Sequence, residues 1–148
     1  MKIIALYGRG GCGKTTTLKL LYDVMLKNGF TLLEGKNMEG ADFSAVLEKD
    51  GRRIGLTTYG DNAACLQKPF ELFKKYNCEI AVSAGRLKRT KNGSVLFLEK
   101  EAVNSAVIWH EKAIVSNKND GFDVAWEIDE INRIQAESLY RQIIFNLT

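Results

Sequence analysis

Eight residues near the start of the chain carry the clearest chemistry. Residues 8–15 read GRGGCGKT and fit the pattern G-x-x-x-x-G-K-[ST]. Glycines permit positive φ, so several backbone N–H groups can point at one anion. Lys14 could then reach the β- and γ-phosphates of a nucleotide, and the Thr15 hydroxyl could ligate Mg²⁺. The stretch therefore predicts a phosphate-binding loop.

The residues on both sides of the loop supply the context that this motif requires. An apolar run, IIALY, covers residues 3–7, and a helix-forming run, TTLKLLYDVML, covers residues 16–26. A helix that begins near Lys14 would direct the positive end of its dipole at the bound anion. The alternative is a glycine-rich turn that joins a strand to a helix and binds nothing.

The loop also resembles a particular group of ATPases. Residues 5–17, ALYGRGGCGKTTT, are similar to the K-G-G-x-G-K-[ST]-T loop of the deviant Walker A ATPases, the ParA/MinD and nitrogenase iron-protein relatives. In that family a lysine before the double glycine reaches a nucleotide across a dimer, and Arg9 stands there in this chain, with the same charge but a different geometry. The resemblance covers about the first 30 residues and implies a P-loop NTPase that binds ATP and Mg²⁺, with a homodimer or a protein partner possible. It implies nucleotide contacts from Gly8, Arg9, Gly10, Gly11, Cys12, Gly13, Lys14, Thr15 and Thr16.

The composition limits the number of domains, the kinds of partner and the cellular location, but it indicates no substrate. A chain of 148 residues fits one domain, 1–148, with a sizeable core. The net charge of +3 gives no strong case for nucleic acid or an acidic membrane. Three cysteines without metal or redox spacing favour a reduced, cytoplasmic location. No apolar run approaches the roughly 20 residues of a membrane span.

Periodicity predicts alternating strands and helices. A parallel sheet with right-handed crossovers follows from this order, and a hairpin makes the sheet mixed at one edge. The expected fold is a three-layer α/β P-loop NTPase domain. Strands are predicted at 2–7, 30–34, 78–83 and 106–115, a hairpin at 42–59 around an Asp50-Gly51 turn, and helices at 14–28, 62–77, 94–104 and 127–146.

Two of these helices carry more detailed predictions. Asn62 is a candidate N-cap for the 62–77 helix, and Pro69 should break or kink it. The alternative to one kinked helix is two short helices, the second with Pro69 in its first turn. In the last helix the apolar residues fall near one face: Ile128, Ile131, Ile134, Leu139 and Ile143.

Asp61 is the first catalytic candidate outside the loop. It follows the return strand of the hairpin, which should neighbour the strand that leads into the glycine-rich loop. A carboxylate beyond such a strand could hold Mg²⁺ through water. The alternative is that Asp61 and Asn62 only cap the following helix.

Glu34 is a second acidic candidate. It ends the second predicted strand, where it could orient a water molecule or accept a proton from a substrate hydroxyl. Asp42 is a weaker candidate for the same role. A solvated carboxylate at a strand end is the alternative.

Four cations lie in the loop at residues 84–93. Arg86 and Arg89 could neutralise the charge that builds up on a transferring phosphoryl group. A solvated basic loop is the alternative. Nucleic-acid binding is disfavoured, because aromatic residues do not interleave these cations.

The base and the reaction remain open at this level. ATP is favoured over GTP, although residues 117–120, NKND, match the guanine-reading pattern N-K-x-D. Three functional classes remain. The first is an ATPase whose hydrolysis drives a conformational or assembly cycle, and the second is a kinase-like phosphotransferase that acts on a small hydroxyl substrate. The third is a nucleotide-binding module with little turnover that acts with a partner.

Overall fold

The structure is a computed structural model, and it describes residues 1–35, 40–86, 89–102, 104–114 and 125–147, without the side chains of residues 125 and 126. It is an α/β arrangement of six strands and four helices within these ranges. The elements are β1 (Lys2–Tyr7), α1 (Lys14–Lys27), β2 (Thr31–Gly35), β3 (Ser44–Lys49), β4 (Arg52–Thr57), α2 (Ala63–Lys75), β5 (Ile80–Gly85), α3 (Ser94–Glu101), β6 (Val107–Glu111) and α4 (Ala125–Leu147).

The strands form one mixed sheet in the order β2-β3-β4-β5-β1-β6. β1 pairs in parallel with β5 and β6, and β4 pairs in parallel with β5. β3 is antiparallel to both of its neighbours, which confirms the predicted mixture. The hairpin was expected at the edge of the sheet, but β2 pairs outside it and forms that edge.

Helices cover both faces of the sheet because the buried strands are apolar on both sides. Leu18, Leu21 and Met25 of α1 pack with Leu139 and Ile143 of α4 on one face. On the other face, α2 and α3 bury Leu66, Phe70, Phe73 and Leu98 against residues such as Ile3 and Ala81. The carboxyl ends of the parallel strands β4, β5, β1 and β6 lie at one edge of the sheet, and the start of the antiparallel strand β3 lies at the same edge.

The hairpin turn is as the sequence predicts. Asp50 and Gly51 both have positive φ, 52° and 75°, which is the backbone of a two-residue turn between antiparallel strands. Asn62 caps α2, since its side-chain oxygen accepts a hydrogen bond from the Cys65 N–H at 3.0 Å.

Two predictions about helices were wrong. Pro69 does not split the 62–77 segment, because α2 runs unbroken from Ala63 to Lys75 with Pro69 buried inside it. Burial of its neighbours Phe70 and Phe73 against the sheet offsets the loss of one backbone hydrogen bond. In α4 the prediction was wrong only in part: Leu139 and Ile143 are buried as predicted, but Ile128 and Ile134 are exposed, and Asn132 and Ala136 complete the buried face.

A third correction concerns strand order. β4, which precedes Asp61, does not neighbour β1, because β5 lies between them.

Within the described part of the chain, no helix combines the length and the apolar character needed to cross a membrane.

Candidate functional site

The glycine-rich loop (residues 8–13) leaves the carboxyl end of β1 and enters α1. Gly11 and Gly13 have φ of 72° and 98°, the left-handed region that glycine adopts without strain. The Lys14 amine donates hydrogen bonds to the carbonyl oxygens of Gly8 and Arg9 at 2.6 and 2.9 Å. The lysine therefore lies along the inside of the loop, close to the amides that would meet an anion.

Burial changes the acid–base behaviour of Lys14. It lowers the pKa of the amine below the ordinary value of 10.5, chiefly by desolvation. Cys12 and Asp61 act in the opposite direction on this pKa, whereas Arg86 lowers it further. A cation that is poorly solvated and near a second cation favours binding of an anion, which would restore its charge balance.

A cavity of about 410 Å³ opens in front of the loop. It lies at the carboxyl ends of β1, β5 and β4, where ligands of parallel α/β sheets bind. Its lining combines loop glycines and hydroxyls with charged side chains: Gly10, Gly11, Gly13, Lys14, Thr15, Thr16, Asp42, Thr58, Tyr59, Gly60, Asp61, Cys65, Ala84 and Arg86. We call it the front cavity.

Asp42 lies beside Thr15, the predicted metal ligand. Its Oδ1 accepts a hydrogen bond from the Thr58 hydroxyl at 2.9 Å and lies 3.4 Å from the Thr15 hydroxyl. The Phe43 N–H donates to the same Thr58 hydroxyl at 2.8 Å, so the end of β4 fixes the start of β3. Asp42 is thereby held beside Thr15 by two neighbouring strands.

Asp42 is only a weak candidate from the sequence, although the register of the predicted hairpin indicates its position. In an antiparallel hairpin the residue before the first strand lies opposite the residue after the second. β3 and β4 pair with Ser44 opposite Thr57, which places Asp42 opposite Tyr59 at the carboxyl end of β4. The start of β3 is therefore at the same sheet edge as the glycine-rich loop.

Asp61 and Arg86 form an ion pair at the mouth of the front cavity. Arg86 Nη2 lies 2.9 Å from Asp61 Oδ1, and both side chains are exposed, so the pair contributes little to stability. A Cβ added at Gly10 would come within 3.0 Å of the Arg86 guanidinium, which shows how closely Arg86 approaches the loop. Asn62 is the N-cap of α2, so the Asp61 side chain does not cap the helix and pairs with Arg86 instead.

The other two sequence candidates lie away from the front cavity. The Glu34 carboxylate accepts a hydrogen bond from the Tyr76 hydroxyl at 2.7 Å, on the far-edge strand β2. Arg89 forms a bidentate pair with Glu99 of α3, at 2.5 and 3.2 Å. Neither residue lines the front cavity. Their catalytic roles stay predictions, and residues 117–120 lie outside the described residues.

A smaller cavity of about 240 Å³ lies on the other side of the loop. We call it the back cavity. It combines aliphatic side chains with two buried polar ones: Arg9, Gly11, Cys12, Gly13, Thr16, Lys112, Ala113, Ile114, Ile128, Ile131 and Asn132.

Lys112 and Asn132 support the loop from this side. The Lys112 N–H donates to the Tyr7 carbonyl at 2.8 Å, and its amine donates to the Ala113 carbonyl. Burial lowers the pKa of Lys112. The Asn132 side-chain oxygen Oδ1 accepts a hydrogen bond from the Thr17 hydroxyl at 3.3 Å. Neither residue is a candidate from the sequence, because only the pairing of β6 with β1 and the packing of α4 against α1 bring them to the loop.

Metal binding here would depend on few protein ligands. Among the described residues, no group of three or more His, Cys, Asp and Glu is arranged to hold a metal ion. A hydroxyl and one carboxylate, as at Thr15 and Asp42, suit Mg²⁺, which takes most of its remaining ligands from water and substrate phosphates. The donor set therefore fits Mg²⁺ bound together with a polyphosphate.

Comparison with known proteins adds no further constraint. No protein-family model matches the sequence, and searches of the curated proteins and of the solved structures find no match.

Proposed function

We propose that this chain binds a Mg²⁺-nucleoside triphosphate, with ATP favoured, and cleaves its terminal phosphoanhydride bond, with water as the acceptor when no other is bound. The observation that carries the proposal is the front cavity. There the loop amides, the Lys14 amine and the Thr15 hydroxyl face two carboxylates and a guanidinium across a space of about 410 Å³.

The loop supplies the binding energy for the phosphates in this proposal. Lys14 has two hydrogen bonds to loop carbonyls that it can exchange for phosphate oxygens without leaving its position. The N-terminus of α1, with Gly13 in the left-handed conformation, adds backbone N–H groups and the helix dipole. These features together suit a chain of two or three phosphates.

Thr15 and Asp42 are the residues that we expect to hold Mg²⁺. When bound, the ion would neutralise charge on the terminal phosphates. Asp42 lies beside the Thr15 hydroxyl, whereas Asp61 is already paired with Arg86. We therefore favour Asp42 for the metal shell and keep Asp61 as the alternative.

Arg86 is the residue that we expect to stabilise the charge of the transition state. Its guanidinium reaches the loop at Gly10 from the end of β5 and carries an exposed positive charge at the mouth of the cavity. Donors held in place near a developing charge are worth about 10²-fold or more in rate. Asp61 would orient this guanidinium.

The back cavity is the place that we assign to the nucleobase. Its aliphatic residues Ile114, Ile128 and Ile131 can pack against a flat ring, and it adjoins the loop through Gly11, Gly13 and Thr16. Apolar walls with few polar groups are typical of small-molecule sites. The phosphates would then cross the loop from the back cavity to the front cavity.

One set of titrations tests this proposal. Calorimetry with ATP, GTP, ADP and adenosine, each with and without Mg²⁺, should give the tightest binding for Mg²⁺-ATP. Phosphorus NMR of the same mixture should show inorganic phosphate and ADP accumulating. Equal affinity for ATP and adenosine, or no dependence on Mg²⁺, would contradict the proposal.

A further inference from the structure

A third space, of about 810 Å³, lies beside the front cavity between α2 and the start of β3. We call it the α2 groove. It is larger and more apolar than the front cavity, and its volume falls within the 300–1,000 Å³ range of small-molecule sites. Its lining comes mainly from α2 and from the residues around the ends of β3 and β4.

The α2 groove is continuous with the front cavity. Three residues line both spaces: Asp42, Tyr59 and Cys65. Asp42 is at the junction, beside Thr15. A molecule in the groove would therefore present its end group where the terminal phosphate of a nucleotide would lie.

The chemistry of the groove favours a neutral molecule with a flat ring. Pro69 and Leu72 give apolar walls, and the exposed ring of Tyr59 lies near the junction. Among the described residues that line the groove, Lys68 and Glu71 carry opposite charges, and Asp42 carries a negative charge at the junction. The carboxylate of Asp42 disfavours an anionic group at the junction but accepts a hydrogen bond from a hydroxyl.

Asp42 also has an oxygen atom that can accept a hydrogen bond from a hydroxyl. The hydrogen bonds that it receives from described residues, from Thr58 and Thr15, both fall on Oδ1. Oδ2 receives none from the described part of the chain and can face an incoming hydroxyl. One carboxylate could thus serve both the metal shell and the acceptor.

We propose that the α2 groove binds a neutral, ring-bearing alcohol that accepts the terminal phosphoryl group in place of water. The alcohol oxygen forms a bond to the γ-phosphorus, and the bond between that phosphorus and the β–γ bridging oxygen breaks. The nucleoside diphosphate leaves with that bridging oxygen, and the hydroxyl proton is released to solvent water. This inference rests on the proposed binding of a nucleoside triphosphate.

Thymidine is a suitable probe because it is neutral, flat-ringed and carries a primary hydroxyl. The protein is first saturated with Mg²⁺ and a non-hydrolysable ATP analogue, which occupies the nucleotide site. Calorimetry then measures binding of thymidine, of glycerol as an alcohol without a ring, and of thymidine 5′-monophosphate as an anionic analogue. We expect binding of thymidine, at least tenfold tighter than binding of either comparison compound.

A matched pair of variants on α2 locates the binding. Gln67→Trp places a large ring at an exposed position that lines the groove, and Lys75→Trp makes a similar change at an exposed position that does not line it. Gln67→Trp should weaken thymidine binding at least tenfold, and Lys75→Trp should leave it unchanged. Titration with ATP checks that both variants keep their fold and nucleotide site.

Phosphorus NMR with Mg²⁺-ATP and thymidine gives the second readout. A new phosphomonoester signal should appear with thymidine, diminish at least tenfold in Gln67→Trp and persist in Lys75→Trp. If ATP binds but thymidine neither binds nor gains phosphate, or if thymidine monophosphate or glycerol is preferred, the groove proposal is wrong while the proposed function stands. If ATP itself fails to bind, both proposals fail.

Discussion

The front and back cavities share one loop but differ in chemistry. Gly11, Gly13 and Thr16 line both. The front cavity adds Asp42, Asp61, Arg86 and Thr58, whereas the back cavity adds three isoleucines, Lys112 and Asn132. The difference arises because β1 has different neighbours on its two sides, β5 towards the front and β6 towards the back.

The comparison indicates that the two cavities suit different parts of one ligand. Charged and hydroxyl groups at the front can bind phosphate oxygens and a hydrated cation. Aliphatic groups at the back can pack against a base and gain free energy from the area that they bury. Changes at the front should therefore affect triphosphate, diphosphate and nucleoside unequally, and changes at the back should affect them equally.

The largest effect should come from Lys14→Ala. Removal of the amine should weaken binding of Mg²⁺-ATP about 10²-fold, binding of ADP less, and binding of adenosine little, because the side chain addresses the terminal phosphates. Calorimetry measures all three, with Lys19→Ala, an exposed position on α1, as the control. An equal loss for the three ligands would remove the assignment of the front cavity.

Arg86→Ala should lower turnover about 10²-fold with little change in ATP affinity, because its guanidinium would act on the transition state. Arg89→Ala is the matched control, since Arg89 pairs with Glu99 outside the front cavity. Steady-state phosphate release measures both. Unchanged turnover in Arg86→Ala would leave this arginine as a surface cation.

Asp42→Asn and Asp61→Asn compare the two front carboxylates, because each change removes a charge and keeps the size. Asp42→Asn should reduce the tightening of ATP binding by Mg²⁺ about tenfold, by loss of a charge-assisted interaction. Asp61→Asn should reduce it less. Mg²⁺ titrations beside thermal melts measure the effect in folded protein, and the reverse order would return the metal role to Asp61.

Ile131→Ala tests the back cavity. Loss of part of an apolar wall should weaken ATP, ADP and adenosine by the same factor, about fivefold, since a change of this size in an apolar pocket is worth about 1 kcal/mol or more. Ile134→Ala is the control, because Ile134 is on the same helix but 50% exposed and outside the cavity. A loss confined to ATP would contradict the assignment.

The smallest effect concerns pH. Burial lowers the pKa of Lys14, so the free protein loses this proton below the ordinary value of 10.5. The charged amine binds phosphate, so ATP affinity should fall a few-fold as pH rises through that lowered pKa, while adenosine affinity stays level. In Lys14→Arg the side chain stays charged, and the dependence should disappear. A persistent dependence in that variant would assign it to another group.

Local sequence determined much of the fold. The continuous apolar run of β1, the glycines before α1, the Asp50-Gly51 turn and the Asn62 cap are all encoded within a few residues, and the structure has each of them. Periodicity and turn chemistry act over these short distances. The sequence could therefore predict which residues form the loop and which strand and helix hold it.

Tertiary packing decided which other side chains reach that loop. Only pairing of strands distant in sequence places β5 between β4 and β1 and brings Asp42 to Thr15. Side-chain contacts hold Glu34 to Tyr76 and Arg89 to Glu99, away from the front cavity. In the same way β6 and α4 bring Lys112 and Asn132 behind the loop. Which strands pair is set by burial of whole helix and sheet faces, a property that no short stretch of sequence contains.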